Sequence, residues 1–104
     1  MFPGVFQTGS VNTPSVVAVS SGAVTVLNAN LNRRGWQIVN VDAAVVDVRL
    51  GGTASSTVYH IPLKACGSAG DGTGGVVGQT SGTVFTGLIS VYCGGSGHVV
   101  VLEH

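Results

Sequence analysis

Apolar side chains in this chain recur at every second residue, and no window carries them at the i, i+3, i+4, i+7 spacing of a helix. That single periodicity bounds the fold. Val17, Val19, Val24 and Val26 alternate with Ala18, Ser20, Ala23 and Thr25, and Ser21-Gly22 between the two halves reads as the tight turn of a hairpin. Trp36, Ile38 and Asn40 alternate with Gln37, Val39 and Val41 in a stretch rich in β-branched residues. Val46, Val48 and Leu50 alternate with Val45, Asp47 and Arg49 until Gly51-Gly52 closes that strand. Thr57 to Leu63 reads as a further strand whose Pro62 confines its end to an edge or a bulge. Val76-Val77 reads as a short edge piece, followed by Thr83 to Phe85, Leu88 to Tyr92 and His98 to Val101. The last two are joined as a hairpin by Gly94-Gly95-Ser96-Gly97. The pattern predicts an all-β fold, a small antiparallel β-sandwich or barrel of about eight short strands.

With 104 residues the chain is one domain. Residues 1–14 read as an extended N-terminal arm and 15–101 as the β-sandwich domain. Leu102-Glu103-His104 reads as a vector-derived tag remnant, to be set apart from the fold. The N-terminus has no positive n-region or apolar h-region, and no apolar run is long enough for a membrane span. From Gly67 to Gly82 small residues dominate, and a long mobile loop is expected there.

Charged residues are only 8% of the chain although apolar ones are an ordinary 44%, so the deficit lies in the surface. A surface of Gly, Ser, Thr, Asn and Val implies that much of it faces another protein, and an assembly is expected rather than a free monomer. Four basic residues balance four acidic ones, which leaves no field for nucleic acid and no polybasic segment for a membrane.

Two of those four basic residues, Arg33 and Arg34, stand side by side in NANLNRRG, where three asparagines and Gly35 predict a connection between strands. They read as solvent-facing caps with packed stems, as a subunit or partner contact pairing with Asp42 or Asp47, or as an anion site. Phe2 and Phe6 lie in a polar arm with nothing local to bury them, which suits anchors on a neighbouring subunit. Trp36 and Tyr59 are the aromatic candidates for stacking on a glycan, although a lone Trp in a small all-β core belongs first to that core.

Chemistry finds little support. Cys66 and Cys93 are too far apart for a CxxC motif and read as free buried thiols before a disulfide. Pairing either with His60 or His98 would give a thiol and an imidazole, but nothing marks an orienting acid or an oxyanion site. A metal site from His60, His98 and a carboxylate has no supporting spacing. GSAGDGTGG lacks the Gly-Lys-Ser/Thr ending of a phosphate loop, and Asp71 alone cannot form a calcium loop. No catalytic, cofactor or metal residue is assigned.

The chain carries L-x-A-N-x-x-R-R-G at Leu27, Ala29, Asn30, Arg33, Arg34 and Gly35, then I-x-N at Ile38 and Asn40, L-G-G-T-A at Leu50 to Ala54, and T-G-x-I-S-V at Thr86 to Val91. In this order the segments resemble small virion-associated structural proteins of tailed bacteriophages and prophages. The resemblance spans roughly residues 15–101, and its motifs are turn and core features rather than chemical ones. It implies a non-enzymatic decoration, head-fibre or tail accessory protein, made in the host cytoplasm and bound to the virion's capsid or tail protein as a homo-oligomer, a trimer above all. A carbohydrate-binding module for bacterial surface glycans is the alternative.

Overall fold

The computed structural model describes residues 13–104. Six strands lie among the described residues: β1 (Ser15–Leu27), β2 (Trp36–Asn40), β3 (Val46–Leu50), β4 (Ile61–Leu63), β5 (Val76–Gln79) and β6 (Ile89–Glu103). Every pairing is antiparallel. No helix occurs among the described residues, so none is long and apolar enough to cross a membrane.

The all-β architecture agrees with the two-residue periodicity, but the strands are fewer and two of them much longer. β1 and β6 pair from Ser15↔Val101 to Leu27↔Ile89. Both predicted hairpins are therefore halves of one ribbon, in which Ser21-Gly22 faces the glycine-rich stretch of β6. Ser20 stands opposite Ser96 and Gly22 opposite Cys93, so Ser21 on one strand is matched by Gly94 and Gly95 on the other. The ladder bulges there, and Ser21 takes a φ of 48°. Small turn-prone residues in both partners bend the ribbon without reversing the chain.

That bend folds the sheet over on itself. On its second edge, β6 pairs with β3 through its first half (Leu50↔Ile89 to Asp47↔Tyr92) and with β2 through its second (Asn40↔Val99 to Trp36↔Glu103). β4 flanks β3 and β5 flanks β2, giving the order β4-β3-β6-β2-β5. The two ends of this order meet where the Gly75 N–H donates to the Lys64 carbonyl at 2.8 Å and the Asn40 N–H to the Gly75 carbonyl at 2.9 Å. The sheet is nearly closed into a barrel.

Inward-facing residues of both leaves make one core, including Val19, Trp36, Ile38, Val46, Val48, Leu63, Ile89, Val91 and Val99. Each fully buried aliphatic side chain of this kind contributes about 1.5–3 kcal/mol. Asn40 is the polar member; its side-chain amide donates to the Ala44 carbonyl at 2.7 Å and the Leu63 carbonyl at 3.3 Å, and its oxygen accepts from the Asp42 N–H at 3.1 Å. A buried amide with these partners fixes the turn between β2 and β3.

Three further expectations change. Thr57 to His60 is not a strand, because the Ser55 hydroxyl accepts from the N–H groups of Thr57 (3.3 Å) and Val58 (3.0 Å) and curls the backbone locally. Thr83 to Phe85 also lies outside the ladder. The Gly67–Gly82 segment is tied down through Asp71, which accepts from the Ser68 N–H at 2.8 Å, the Thr73 N–H at 2.9 Å and the Thr73 hydroxyl at 2.6 Å. Its second half is β5, and its glycines serve close approach. A Cβ on Gly74 would collide with the Asn40 carbonyl oxygen, and one on Gly78 with that of Trp36.

Candidate interaction surface

Arg33 is not a solvent-facing cap. It is 4% exposed, and its guanidinium is occupied within the chain. Nε donates to Glu103 Oε2 at 2.8 Å, Nη1 to the carbonyls of Phe85 (2.9 Å) and Gly87 (3.0 Å), and Nη2 to that of Asn28 (2.7 Å). A planar fork of donors suits this convergence of acceptors. The partner carboxylate is Glu103 and not Asp42 or Asp47. Leu102–His104 are thus integral to the fold: the first two extend β6, and the His104 carbonyl accepts from the N–H groups of Arg34 (2.6 Å) and Gly35 (2.8 Å). Arg34 is exposed. Phe2 and Phe6 lie outside the described residues.

Trp36 is 1% exposed and donates from Nε1 to Gln79 Oε1 at 3.0 Å. It therefore offers no face to a sugar. Tyr59 stands 43% exposed, the one large aromatic in solvent among the described residues.

The thiols and imidazoles do not meet as pairs. Cys66 and Cys93 are free and buried. His60 Nδ1 accepts from the Leu50 N–H at 3.1 Å, while His98 Nδ1 lies 2.7 Å from Asp42 Oδ2. The hydrogen bond from His98, with a second from the Ala43 N–H, holds the Asp42 carboxyl below the usual carboxylate range. Among the described residues no three His, Cys, Asp or Glu side chains come together.

What sequence reasoning missed is a difference between the two outer faces of the folded sheet. On the β3–β4 leaf, the outward rows run Pro62, Asp47, Tyr92, Ala23 and then Arg49, Ser90, Thr25. This face is mixed in polarity, and its own chain covers it at Ser90 while Ala23, Thr25 and Pro62 stay exposed. The Ala54 N–H donates to the Ser90 hydroxyl at 2.7 Å, that hydroxyl donates to the Gly52 carbonyl at 2.5 Å, and Arg49 Nη1 donates to the Thr53 carbonyl at 2.9 Å. Ser90 is 1% exposed as a result, and burial pushes the Asp47 carboxyl up.

On the β2–β5 leaf, the register aligns Val16, Val100, Val39 and Val76 side by side across β1, β6, β2 and β5. All four point away from the core. Val16 and Val76, at the two ends of the row, are 68% and 56% exposed. Leu102, Gln37 and Gly78 form the row on one side, and Ala18 with His98 the row on the other. Because paired residues share a face, the signal was present in VV of β1, IV of β2, VV of β5 and VVV of β6. It needed the register to become one patch.

No family model, no curated protein and no solved structure matches this chain. The reading of its function rests on its own residues.

Proposed function

We propose that the chain is a non-enzymatic structural protein of a tailed-bacteriophage virion, of the capsid-decoration or head-fibre kind. It is made in the host cytoplasm and binds the capsid or tail protein of the particle as an oligomer. The observation that carries this reading is the outward valine row, exposed at Val16 and Val76 and half-buried at Val39 and Val100, on a domain whose charged residues are 8% of the chain. Patches of this kind on small soluble domains mark contact with other proteins. The segment resembling L-x-A-N-x-x-R-R-G supports the same reading, because its first arginine is a clamp inside the fold and its role is architectural. The glycan alternative is left with Tyr59.

The test is quantitative mass spectrometry of purified particles from the phage or prophage that encodes the chain. Several copies per particle, retained through a density gradient and restored when the protein is added back to particles lacking it, is the expected result. Absence from the particles, with no binding on add-back, overturns the proposal. Binding on a glycan array that is lost in Tyr59→Ala would favour the alternative.

A further inference from the structure

We infer that a second copy of this chain covers the outer valine face, the two molecules packing sheet against sheet about a two-fold axis. An antiparallel sheet with one solvated face alternates apolar inward with polar outward. The strands of this leaf depart from that rule at one level. In β6, Val99 and Val101 enter the core while Val100 and Leu102 face out; in β2, Ile38 is inside and Val39 outside; in β1, Val17 and Val19 are inside and Val16 and Ala18 outside. Strands apolar on both sides are strands covered on both sides. The core covers one side, and among the described residues no second layer lies on the other. The opposite leaf differs: its outward rows mix Asp47, Arg49, Thr25 and Tyr92, and the segment around Gly52 and Ala54 roofs it at Ser90.

Charge and size select the occupant. The three rows carry no ionised Lys, Arg, Asp or Glu, and the His98–Asp42 pair sits only at the rim. A strongly charged partner finds no complement here, whereas an identical face is equally neutral. Four strands at ~4.8 Å spacing and roughly five residues of length give a patch of about 19 by 16 Å. Its corrugated surface is on the order of 500 Å² per copy, so a self-contact buries roughly 1,000 Å², the lower limit of a specific interface. The whole apolar patch is covered only by a partner patch of matching extent, which an isologous contact supplies. The two sheets then lie about 10 Å apart and cross at about 30°. An interface of this size gives a reversible dimer, distinct from the trimer implied by the family resemblance.

Sedimentation equilibrium of the full chain from micromolar to millimolar concentration tests this. A monomer–dimer equilibrium is expected, weakened about tenfold or more by Val16→Lys and separately by Val76→Lys, each with unchanged thermal unfolding. Thr25→Lys, on the other leaf, leaves it unchanged. A Val39→Cys variant, near the centre of the row, forms an intermolecular disulfide under mild oxidation while Thr25→Cys does not. A monomer at all concentrations, a trimer, or a dimer indifferent to both lysines overturns the inference. The measurement uses the isolated chain, so its outcome is separate from that of the particle analysis.

Discussion

Arg33 Nε and Glu103 Oε2 lie 2.8 Å apart and join positions separated by 70 residues, fastening the β1–β2 connection to the end of β6. The arginine side chain is fully buried and the glutamate side chain 24% exposed. Removing the carboxylate leaves a buried cation without its counter-charge, which costs about 3–5 kcal/mol in enclosed pairs. The partial exposure of Glu103 places the cost of Glu103→Gln at about 3 kcal/mol. A chain ending at Val101 loses that carboxylate and the His104 carbonyl as well, and urea unfolding should report at least as large a loss. A neutral truncation contradicts the clamp.

The Thr73 hydroxyl, the Thr73 N–H and the Ser68 N–H, in that order, hold the Asp71 carboxyl down to about 2 from its ordinary 3.8. A lowered pKa in the folded state means that the unfolded chain binds the proton more readily. The stabilisation from Asp71 is therefore complete above the ordinary value and disappears as pH falls toward about 2. Asp42, lowered by His98, acts in the same direction, and Asp47, raised by burial, acts in the opposite one. Asp71→Asn should flatten the acid limb of the stability curve without abolishing it. The protection of the Ser68 and Thr73 amides against exchange, taken relative to the intrinsic rate at each pH, should fall in wild type on acidification and be low at all pH in the variant.

The relation between Ser21 and its surroundings explains how far the sequence could be read. Alternation correctly placed the strand residues of β1, β2, β3 and β6, because inward and outward positions differ in polarity wherever one face is wet. It failed at Ser21-Gly22 and Gly94–Gly97, since glycine and serine between two alternating runs signal a hairpin turn and a bulge equally well. Only the partner strand decides which. Arg33 was misread for a similar reason. Adjacent arginines in a loop look solvent-directed until the carbonyls of Phe85 and Gly87, more than fifty residues away, converge on one of them. The Gly67–Gly82 segment lacks apolar periodicity, and its order comes from one carboxylate and from close backbone approaches. The valine row was legible residue by residue but not as a surface, because a patch across four strands is a property of register.

Ser21 at φ 48° sits where an L-residue pays a steric penalty of roughly 1–2 kcal/mol that glycine escapes. Part of that gain is offset by the greater freedom of glycine in the unfolded chain. Ser21→Gly should therefore stabilise the protein by about 0.5–1 kcal/mol, and Ser21→Val should destabilise it by more than that. Thermal unfolding of the two variants checks the ordering. If valine is as well tolerated as glycine, the ribbon does not bend through a left-handed residue at this point.

Trp36 supplies the sharpest contrast between a folding role and a binding role. Its ring is enclosed in the core, and its Nε1 donates to Gln79 Oε1, an oxygen that also accepts the Phe85 N–H at 2.8 Å. Through Gln79 the indole ties β2 to β5 and to the segment leading into β6. Trp36→Ala should cost about 3–5 kcal/mol, the range for emptying a buried aromatic site. Trp36→Phe keeps much of the volume, and Gln79 retains the Phe85 N–H as a partner, so the loss should be smaller, about 1–2 kcal/mol. Circular dichroism during urea unfolding separates the two. Because the indole has no exposed face, Trp36→Phe should leave surface binding of every kind unchanged. A folded Trp36→Phe protein that loses a glycan or protein partner would place the ring at a surface and contradict the core described here.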